Sequence, residues 1–244
     1  MKRIAFILLV LISHYSFSQQ IITDRPDQTE ASSTIPHKSL QLEVGTLFLR
    51  SGGIQDNFYP TILWRYGISE KFELRLLTEY ETVKIGALRN SGISDIQIGT
   101  KIQLFKKEDV NTEIAFLSHL IIRTAKTELT NDDLGTINKL SISHSISEKI
   151  GVGYNVGYDY FGIGSGNLTY SLAVGFSLSE KIGFYIEPFG QFVEFDNHLA
   201  SFDAGFSYLA NNNLQFDISY GTGLNYGMNY FSTGFSWNIP HKKK

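Results

Sequence analysis

The sequence predicts an all-β protein, a single antiparallel transmembrane β-barrel of about twelve strands with short periplasmic turns and longer extracellular loops. Apolar and polar residues alternate with a period of two along most of the chain, which is the pattern of strands that are apolar on one side only. The chain has 14% aromatic residues and 22 Gly but only 5 Pro. Beyond the N-terminal region, no apolar run approaches the roughly 20 residues of a membrane helix.

The first residues predict a secretory signal peptide over residues 1–18. Lys2 and Arg3 precede an apolar run from residue 4 to residue 12, which is too short to span a bilayer as a helix. Ser16 and Ser18 flank Phe17 in a small-x-small pattern, so cleavage is expected after Ser18. With the barrel pattern that follows, this predicts export to the outer membrane.

Charge and cysteine content exclude several classes of protein. Removing Lys2 and Arg3 lowers Lys plus Arg from 21 to 19 against 24 Asp plus Glu, so the formal charge changes from -3 to -5. The mature chain therefore lacks the basic face that a nucleic-acid partner needs, and the basic tail at residues 240–244 is interpreted as solvated. Because there is no cysteine, disulfides, thiol catalysis and N-terminal acylation are excluded.

The strands follow from the alternation, as residues 93–105 illustrate. Ile96, Ile98 and Ile102 share one face, while Gln97 and Lys101 share the other. Strands of about 9–12 residues cross a bilayer at a tilt. The predicted spans are approximately 39–50, 57–68, 71–82, 93–105, 111–123, 136–147, 149–161, 167–178, 181–194, 199–210, 213–222 and 228–239.

The connections favour a membrane barrel over a soluble β-sandwich or lipocalin-like barrel. A repeated Ser-Glu-Lys, at residues 69–71, 147–149 and 179–181, marks tight turns at one end. Longer connections, including 81–94 and 123–135, lie at the other end, and both termini lie on the short-turn side. One closed barrel over residues 39–239 leaves no place for a domain boundary.

Charged residues on the predicted inner face form a lumen charge network in the first half of the chain. A wet lumen tolerates such charges better than the dry core of a soluble barrel. They either select solutes or pair with one another and fill the lumen. In the second half the inward positions are mostly Gly, Ser and Ala, which predicts open space there. The predicted network is Glu43, Arg65, Glu73, Arg75, Glu79, Asp95, Lys101, Glu113, His119 and Arg123.

A charged motif precedes the barrel within an N-terminal periplasmic segment at residues 19–38. It contains Asp24, Arg25, Asp27 and Glu30 around Pro26. One interpretation is a plug or latch whose carboxylates pair with the lumen cations, including Arg65, Arg75, Lys101 and Arg123. The alternatives are a solvated, side-chain-capped turn and a site for a cation or a partner, although the spacing is not that of a known calcium loop.

The same region carries a family resemblance. The motif TDRPDQTE at residues 23–30, followed by Pro36 and by LQLEVG at residues 40–45, resembles the start of the outer-membrane barrels of the MetA-pathway of phenol degradation family. The resemblance implies a Gram-negative outer-membrane barrel that transports solutes, including hydrophobic or aromatic ones. The chain departs from the family pattern at Ala31 and at His37, and it extends beyond Trp237.

The function predicted from these patterns is passive passage of small solutes through a narrow polar path. No cofactor motif and no paired metal ligands accompany the barrel, and no enzyme activity is expected. The alternatives are a non-conducting structural or adhesion barrel and an outer-membrane lipid hydrolase. The hydrolase would use Ser118 and His144, both outward on adjacent strands, but it lacks a third group to orient the imidazole. Membrane lipid and an unidentified solute are the expected partners.

Overall fold

The computed structural model describes residues 21–131 and 133–241. The predicted signal peptide and most of the predicted basic tail lie outside these residues. The described chain begins with an extended segment and continues as a series of strands. The strands are β1 (Leu40–Ser51), β2 (Ile54–Ser69), β3 (Phe72–Ile85), β4 (Leu88–Ile93), β5 (Ile96–Phe105), β6 (Thr112–Ile122), β7 (Gly135–Ser145), β8 (Ile150–Tyr160), β9 (Asn167–Ser177), β10 (Ile182–Val193), β11 (Asn197–Asn211), β12 (Leu214–Gly223) and β13 (Met228–Ile239).

The strands form one closed antiparallel barrel. β1 pairs with β13 along its whole length, from Leu40 opposite Ile239 to Ser51 opposite Met228, so no sheet edge is left there. β4 and β5 both pair with β3 and follow one another along it. They are therefore one barrel strand interrupted at Ser94 and Asp95, and the barrel has 12 strands. The predicted fold class is confirmed.

The predicted long connection at 81–94 is a β-hairpin and not an irregular loop. β3 continues to Ile85, and β4 returns after the turn at Gly86 and Ala87. Gly86 has φ +60°, a conformation that glycine adopts without a Cβ penalty. Across this hairpin the Thr82 and Ser91 hydroxyls are 2.9 Å apart. The predicted loop at 123–135 does lack strand structure and contains a short 3-10 helix, Thr127–Leu129.

The faces of the barrel are inverted relative to a soluble protein. The outward apolar side chains are exposed, as for Ile98 at 51%, whereas Arg65, Lys101 and Glu187 on the inner face are 0% exposed. Soluble proteins almost never bury such charges while exposing aliphatics in this way. A polar lumen surrounded by lipid accounts for both observations. None of the helical structure in the described residues has the length and apolarity needed to cross a membrane.

Candidate channel lumen and its N-terminal segment

Residues 21–39, hereafter the N-terminal segment, are held inside the barrel by contacts at both ends. At one end the Ile21 amide donates to the Asn212 carbonyl at the β11–β12 turn (3.0 Å). At the other end the Lys38 amide donates to the Gly67 carbonyl of β2 (2.7 Å), and the Gly67 amide donates to Ser39 (3.1 Å). A Cβ at position 67 would overlap the Pro36 carbonyl. Glycine is therefore required where the segment meets the wall.

Between these ends the segment follows the inside of the barrel from strand to strand. Each contact is a hydrogen bond between a segment residue and an inward polar residue of the next part of the wall. In this way the segment supplies hydrogen-bond partners to polar groups on the inner face of the wall. The sequence of contacts is Thr23 with Gln215 of β12, Gln28 with Glu187 of β10, Thr29 with Ser171 of β9, Glu30 with Asn155 of β8, Ser32 with Ser143 of β7, Ser33 with Glu113 of β6 and Ile35 with Glu73 of β3.

Asp24 is the centre of the ion-pair network. Its carboxylate lies 2.8 Å from Lys101 Nζ, 2.6 Å from Arg75 Nη1 and 3.2 Å from Arg65 Nη1. It also accepts the Ala31 amide (2.8 Å), which joins the two halves of the segment. Burial alone would raise the pKa of Asp24, but the three adjacent cations outweigh this effect and hold the pKa well below its usual range. Asp24 is therefore ionised at neutral pH.

The wall extends this network around Arg65. Its guanidinium lies 2.7 Å from Glu43 and 2.8 Å from Glu73. Glu30 of the segment adds a carboxylate 3.1 Å from Arg75 and 3.5 Å from Lys101. Buried charges are stable only when they are paired and fully hydrogen-bonded. Among the described residues of the wall, only Glu43 and Glu73 pair with Arg65, Arg75 or Lys101, so the segment supplies the missing negative charge.

His119 joins the network as a neutral hydrogen-bonding group. Its Nε2 accepts the Arg75 Nε–H (2.9 Å), and its Nδ1 lies 3.1 Å from Gln97 Oε1. Since arginine is only a donor, Nδ1 carries the proton and donates to Gln97. Gly99 lies opposite on β5, where a Cβ would overlap the imidazole. The small residue makes room for the ring.

The remaining predicted network residues lie apart from this centre. Glu113 accepts a hydrogen bond from Ser33 and pairs with Lys106 (2.8 Å) at the periplasmic rim. Glu79 lines the extracellular side of the lumen and has no ion pair with any described residue. Asp95 and Arg123 were wrongly included, because both lie at the base of the extracellular loop. Asp95 accepts the amides of residues 124 and 125, and Arg123 is exposed.

Arg25 crosses to the opposite wall. It donates to Asp217 of β12 from Nη2 (2.8 Å) and from Nε (3.2 Å), and to Ser232 (3.0 Å). The guanidinium lies over Gly45 and Gly234, which are paired across β1 and β13. A Cβ at either position would overlap it. The guanidinium of Arg25 therefore packs directly against the backbone of these two glycines.

An acidic cluster in the second half of the wall was missed from the sequence. Glu187 and Asp203 are directly opposed on β10 and β11, and both are 0% exposed. Tyr230 of β13 donates its hydroxyl to Asp203. The period-two pattern places all three side chains inward, so it could have identified them. The predicted small residues do occur here, for example at Gly205 and Ser219, which are paired across β11 and β12, but the Tyr185 ring packs over Gly205.

The N-terminal segment separates two cavities in the lumen. A cavity of about 340 Å³ lies on the extracellular side, and one of about 1070 Å³ lies among the periplasmic turns. Both are lined by Arg25, Pro26 and Asp27. These three residues are therefore the partition between the two cavities.

The structure keeps the proposed hydrolase residues apart. Ser118 donates to Asn138 (2.8 Å), whereas His144 contacts Thr112 (2.9 Å) and Tyr154 (3.2 Å). In the β6–β7 register Thr112 opposes His144 and Ser118 opposes Asn138. Six residues of strand, roughly 20 Å, separate serine from histidine. Within the described residues, no group of three or more His, Cys, Asp or Glu side chains is arranged to hold a metal ion.

Comparisons with known proteins agree with this architecture. The crystal structure of the COG4313 outer membrane channel from Pseudomonas putida F1 superimposes with a TM-score of 0.72 at 11% identity, covering 88% of this chain and 100% of that one. The KdgM porin in complex with disordered oligogalacturonate gives a TM-score of 0.59 at 9% identity, covering 82% and 99%. The NanC porin gives 0.56 at 11% identity, covering 81% and 100%.

At these identities the likeness is one of fold, that of outer-membrane β-barrels. Among curated protein sequences, none matches this chain. The family model described as "Putative MetA-pathway of phenol degradation" matches residues 23–239, which include the segment motif and every strand. The chain therefore belongs to that family of outer-membrane β-barrels.

Proposed function

We propose that this protein is a passive outer-membrane channel for small solutes and that its N-terminal segment is a latch across the lumen. The observation that carries the proposal is the pair of cavities separated only at Arg25, Pro26 and Asp27. Displacement of this short stretch would join them into one path. A 12-stranded barrel is intermediate between filled eight-stranded barrels and open porins, which suits a narrow, gated path.

The lining of the extracellular cavity supports a solute with both apolar and polar parts. Pockets that combine apolar surface with placed polar groups recognise such molecules. The polar lining comes from uncharged residues such as Gln97 and Tyr230 and from eight charged residues, namely Asp24, Arg25, Asp27, Glu30, Glu43, Arg75, Glu79 and Lys139. Small aromatic compounds with a polar substituent fit this description. Phenol, the compound in the description of the family, is of this kind. The aliphatic lining residues are Leu47, Leu63, Leu77, Leu117 and Ile137.

Single-channel conductance in a planar bilayer tests the channel itself. The mature chain, residues 19–244, is refolded, and its fold is checked by resistance to SDS before boiling. Discrete current steps are expected. A folded barrel that stays silent at all voltages would refute the channel and favour a structural or adhesion role.

Deletion of residues 21–36 tests the latch. It removes the partition and should increase conductance while the barrel still resists SDS unless boiled. A folded deletion variant with unchanged conductance would refute the latch without refuting the channel.

A further inference from the structure

We infer that the extracellular rim of β1–β4 carries a binding site for the phosphate groups of an outer-leaflet lipid. The site is a row of outward side chains, hereafter the cationic row. The inference concerns the outer surface of the barrel and goes beyond the proposed channel, because its ligand is a membrane lipid and not a solute of the lumen. The cationic row consists of Arg50 of β1, Gln55 of β2, Lys84 of β3, Arg89 of β4 and Asn229 of β13.

The strand register places the members of the row side by side. Arg50 lies directly opposite Asn229 on one neighbouring strand and Gln55 on the other. Gln55 is in turn opposite Lys84, and Lys84 is opposite Arg89 across the β3–β4 hairpin. Directly opposed residues share one face of a sheet. Neighbouring strands lie about 4.8 Å apart, so the three cations extend over about 14 Å of the rim.

The row faces the surroundings of the barrel and not the lumen. Arg50 follows Phe48 by two residues and Lys84 follows Tyr80 by four, so each shares the side of that aromatic residue. Phe48 is 45% exposed and Tyr80 is 41% exposed, as expected for lipid-facing rings. Arg50, Lys84 and Arg89 are exposed as well.

An aromatic cluster below the row indicates its depth in the membrane. The ring centroids of Phe48 and Tyr59 are 6.2 Å apart, as are those of Tyr59 and Tyr80. Outward rings of this kind mark the boundary between hydrocarbon and headgroups. Two to four residues of a strand tilted by about 40° place Arg50 and Lys84 roughly 5–10 Å farther out. The headgroup layer, about 5–8 Å thick, lies at this depth.

The cations of the row are not neutralised by any carboxylate that the structure describes. Arg50, Lys84 and Arg89 take part in none of the ion pairs among these residues. Strand alternation directs the acidic residues of β1–β4 to the inner face instead, namely Glu43, Asp56, Glu73, Glu79 and Glu81. Cations at the membrane surface attract anionic lipids. A guanidinium binds phosphate through two parallel N–H donors, so phosphate complements this row.

The charge is local to one side of the barrel. Near the extracellular ends of β8, β9 and β12, the outward positions hold Tyr158, Tyr170 and Tyr220. Asn229 Oδ1 accepts the Tyr220 hydroxyl (3.2 Å), which leaves its N–H groups as donors for a ligand. The row is therefore a bounded site that would hold one lipid, and not a ring of charge around the rim.

Binding of matched lipids tests the inference on the unsubstituted protein. The refolded mature barrel in detergent is titrated with bisphosphorylated lipid A and with the same lipid after removal of both phosphates. Native mass spectrometry reports the bound fraction. The phosphorylated lipid is expected to bind at least tenfold more tightly, and inorganic phosphate at the same concentration should not displace it. Equal affinity for the two lipids, or displacement by inorganic phosphate, would overturn the inference.

A charge-removing variant locates the site. Arg50→Gln/Lys84→Gln/Arg89→Gln should bind bisphosphorylated lipid A at least tenfold more weakly and should bind the dephosphorylated lipid as before. Exposed substitutions of this kind cost little stability, so the barrel should still resist SDS unless boiled. A folded variant that keeps its affinity for the phosphorylated lipid would overturn the assignment.

The control removes the same charge from the other end of the barrel. Lys71→Gln/Lys149→Gln/Lys181→Gln changes three exposed residues in the periplasmic turns and should retain the affinity. Equal losses in the two variants would show that total charge and not the row decides binding, which would also overturn the assignment. Because binding requires no conduction, this result and the test of the channel are independent.

Discussion

Asp24→Asn is the substitution that should release the latch with the smallest change in shape. It keeps the size of the side chain but removes the charge that Lys101, Arg75 and Arg65 share. The amide can still accept the Ala31 N–H. It also brings two N–H donors toward three cations. The docked segment is therefore destabilised much more than the barrel wall.

The magnitude follows from the burial of this network. The Asp24 side chain is 4% exposed, and those of Arg65 and Lys101 are 0% exposed. Removing one partner of a buried ion pair costs about 3–5 kcal/mol, because the other partner keeps its charge without compensation. Each 1.4 kcal/mol is about tenfold in a population. The ratio of docked to released segment should therefore fall by roughly a hundredfold to a few thousandfold.

Single-channel recording measures this ratio as the open probability of the high-conductance state. Asp24→Asn should spend much more time in that state than the unsubstituted protein, with the same conductance as the deletion variant. Asp109→Asn is the control, because it makes the same chemical change in an exposed periplasmic turn. An Asp24→Asn barrel that folds and shows the same open probability as the control would refute the reasoning.

Three further predictions concern the same segment. Ser32→Cys/Ser143→Cys replaces hydroxyls 2.5 Å apart in a chain without cysteine; oxidation should suppress openings and reductant should restore them, unlike in either single variant. Gly45→Val places a side chain where the guanidinium of Arg25 lies. It should therefore destabilise the docked segment and lengthen the openings, and unchanged open times would contradict the packing of Arg25 against this glycine. Acidification should first reduce opening and then promote it. The raised pKa of Asp27 means that the docked state binds a proton at a higher pH than the released state does, so acidification toward the usual value of 3.8 stabilises docking. The lowered pKa of Asp24 means that its ion pairs are lost only below 3.8. Asp27→Asn should abolish the first phase, and a first phase that persists in it would contradict the assignment.

The strands could be predicted from the sequence because each carries its own signal. Alternation fixes which side faces lipid, and a slip of one residue would place charges such as Lys101 in the bilayer. The connection at 81–94 could not be predicted in the same way. Its residues beyond Glu81 belong to the extracellular end of the chain's β3–β4 hairpin, which depends on a turn at Gly86.

The lumen contacts could be predicted only in part. The sequence indicates that carboxylates of the segment and cations of the wall exist, but not which pairs meet. Pairing depends on the shear and tilt of the closed barrel, which bring β3 and β5 to the same height as Asp24. Asp95 and Arg123 have the inward parity of the network, yet they lie at the extracellular end. Period-two alternation gives the face of a residue and not its depth.

The wall and the segment together have a different electrostatic character from the wall alone. Arg65, Arg75 and Lys101 have only two acidic partners among the wall residues that the structure describes, so an empty lumen would present net positive charge on that side. Docking brings the carboxylates of Asp24 and Glu30 to these cations, while Arg25 of the segment pairs with Asp217 on the opposite wall. Deleting the segment should therefore widen the path and also shift its preference toward anions, which the reversal potential in a salt gradient would report. If the deletion increased conductance without changing that potential, the segment would act only as a steric obstacle, and the selectivity would belong to the wall.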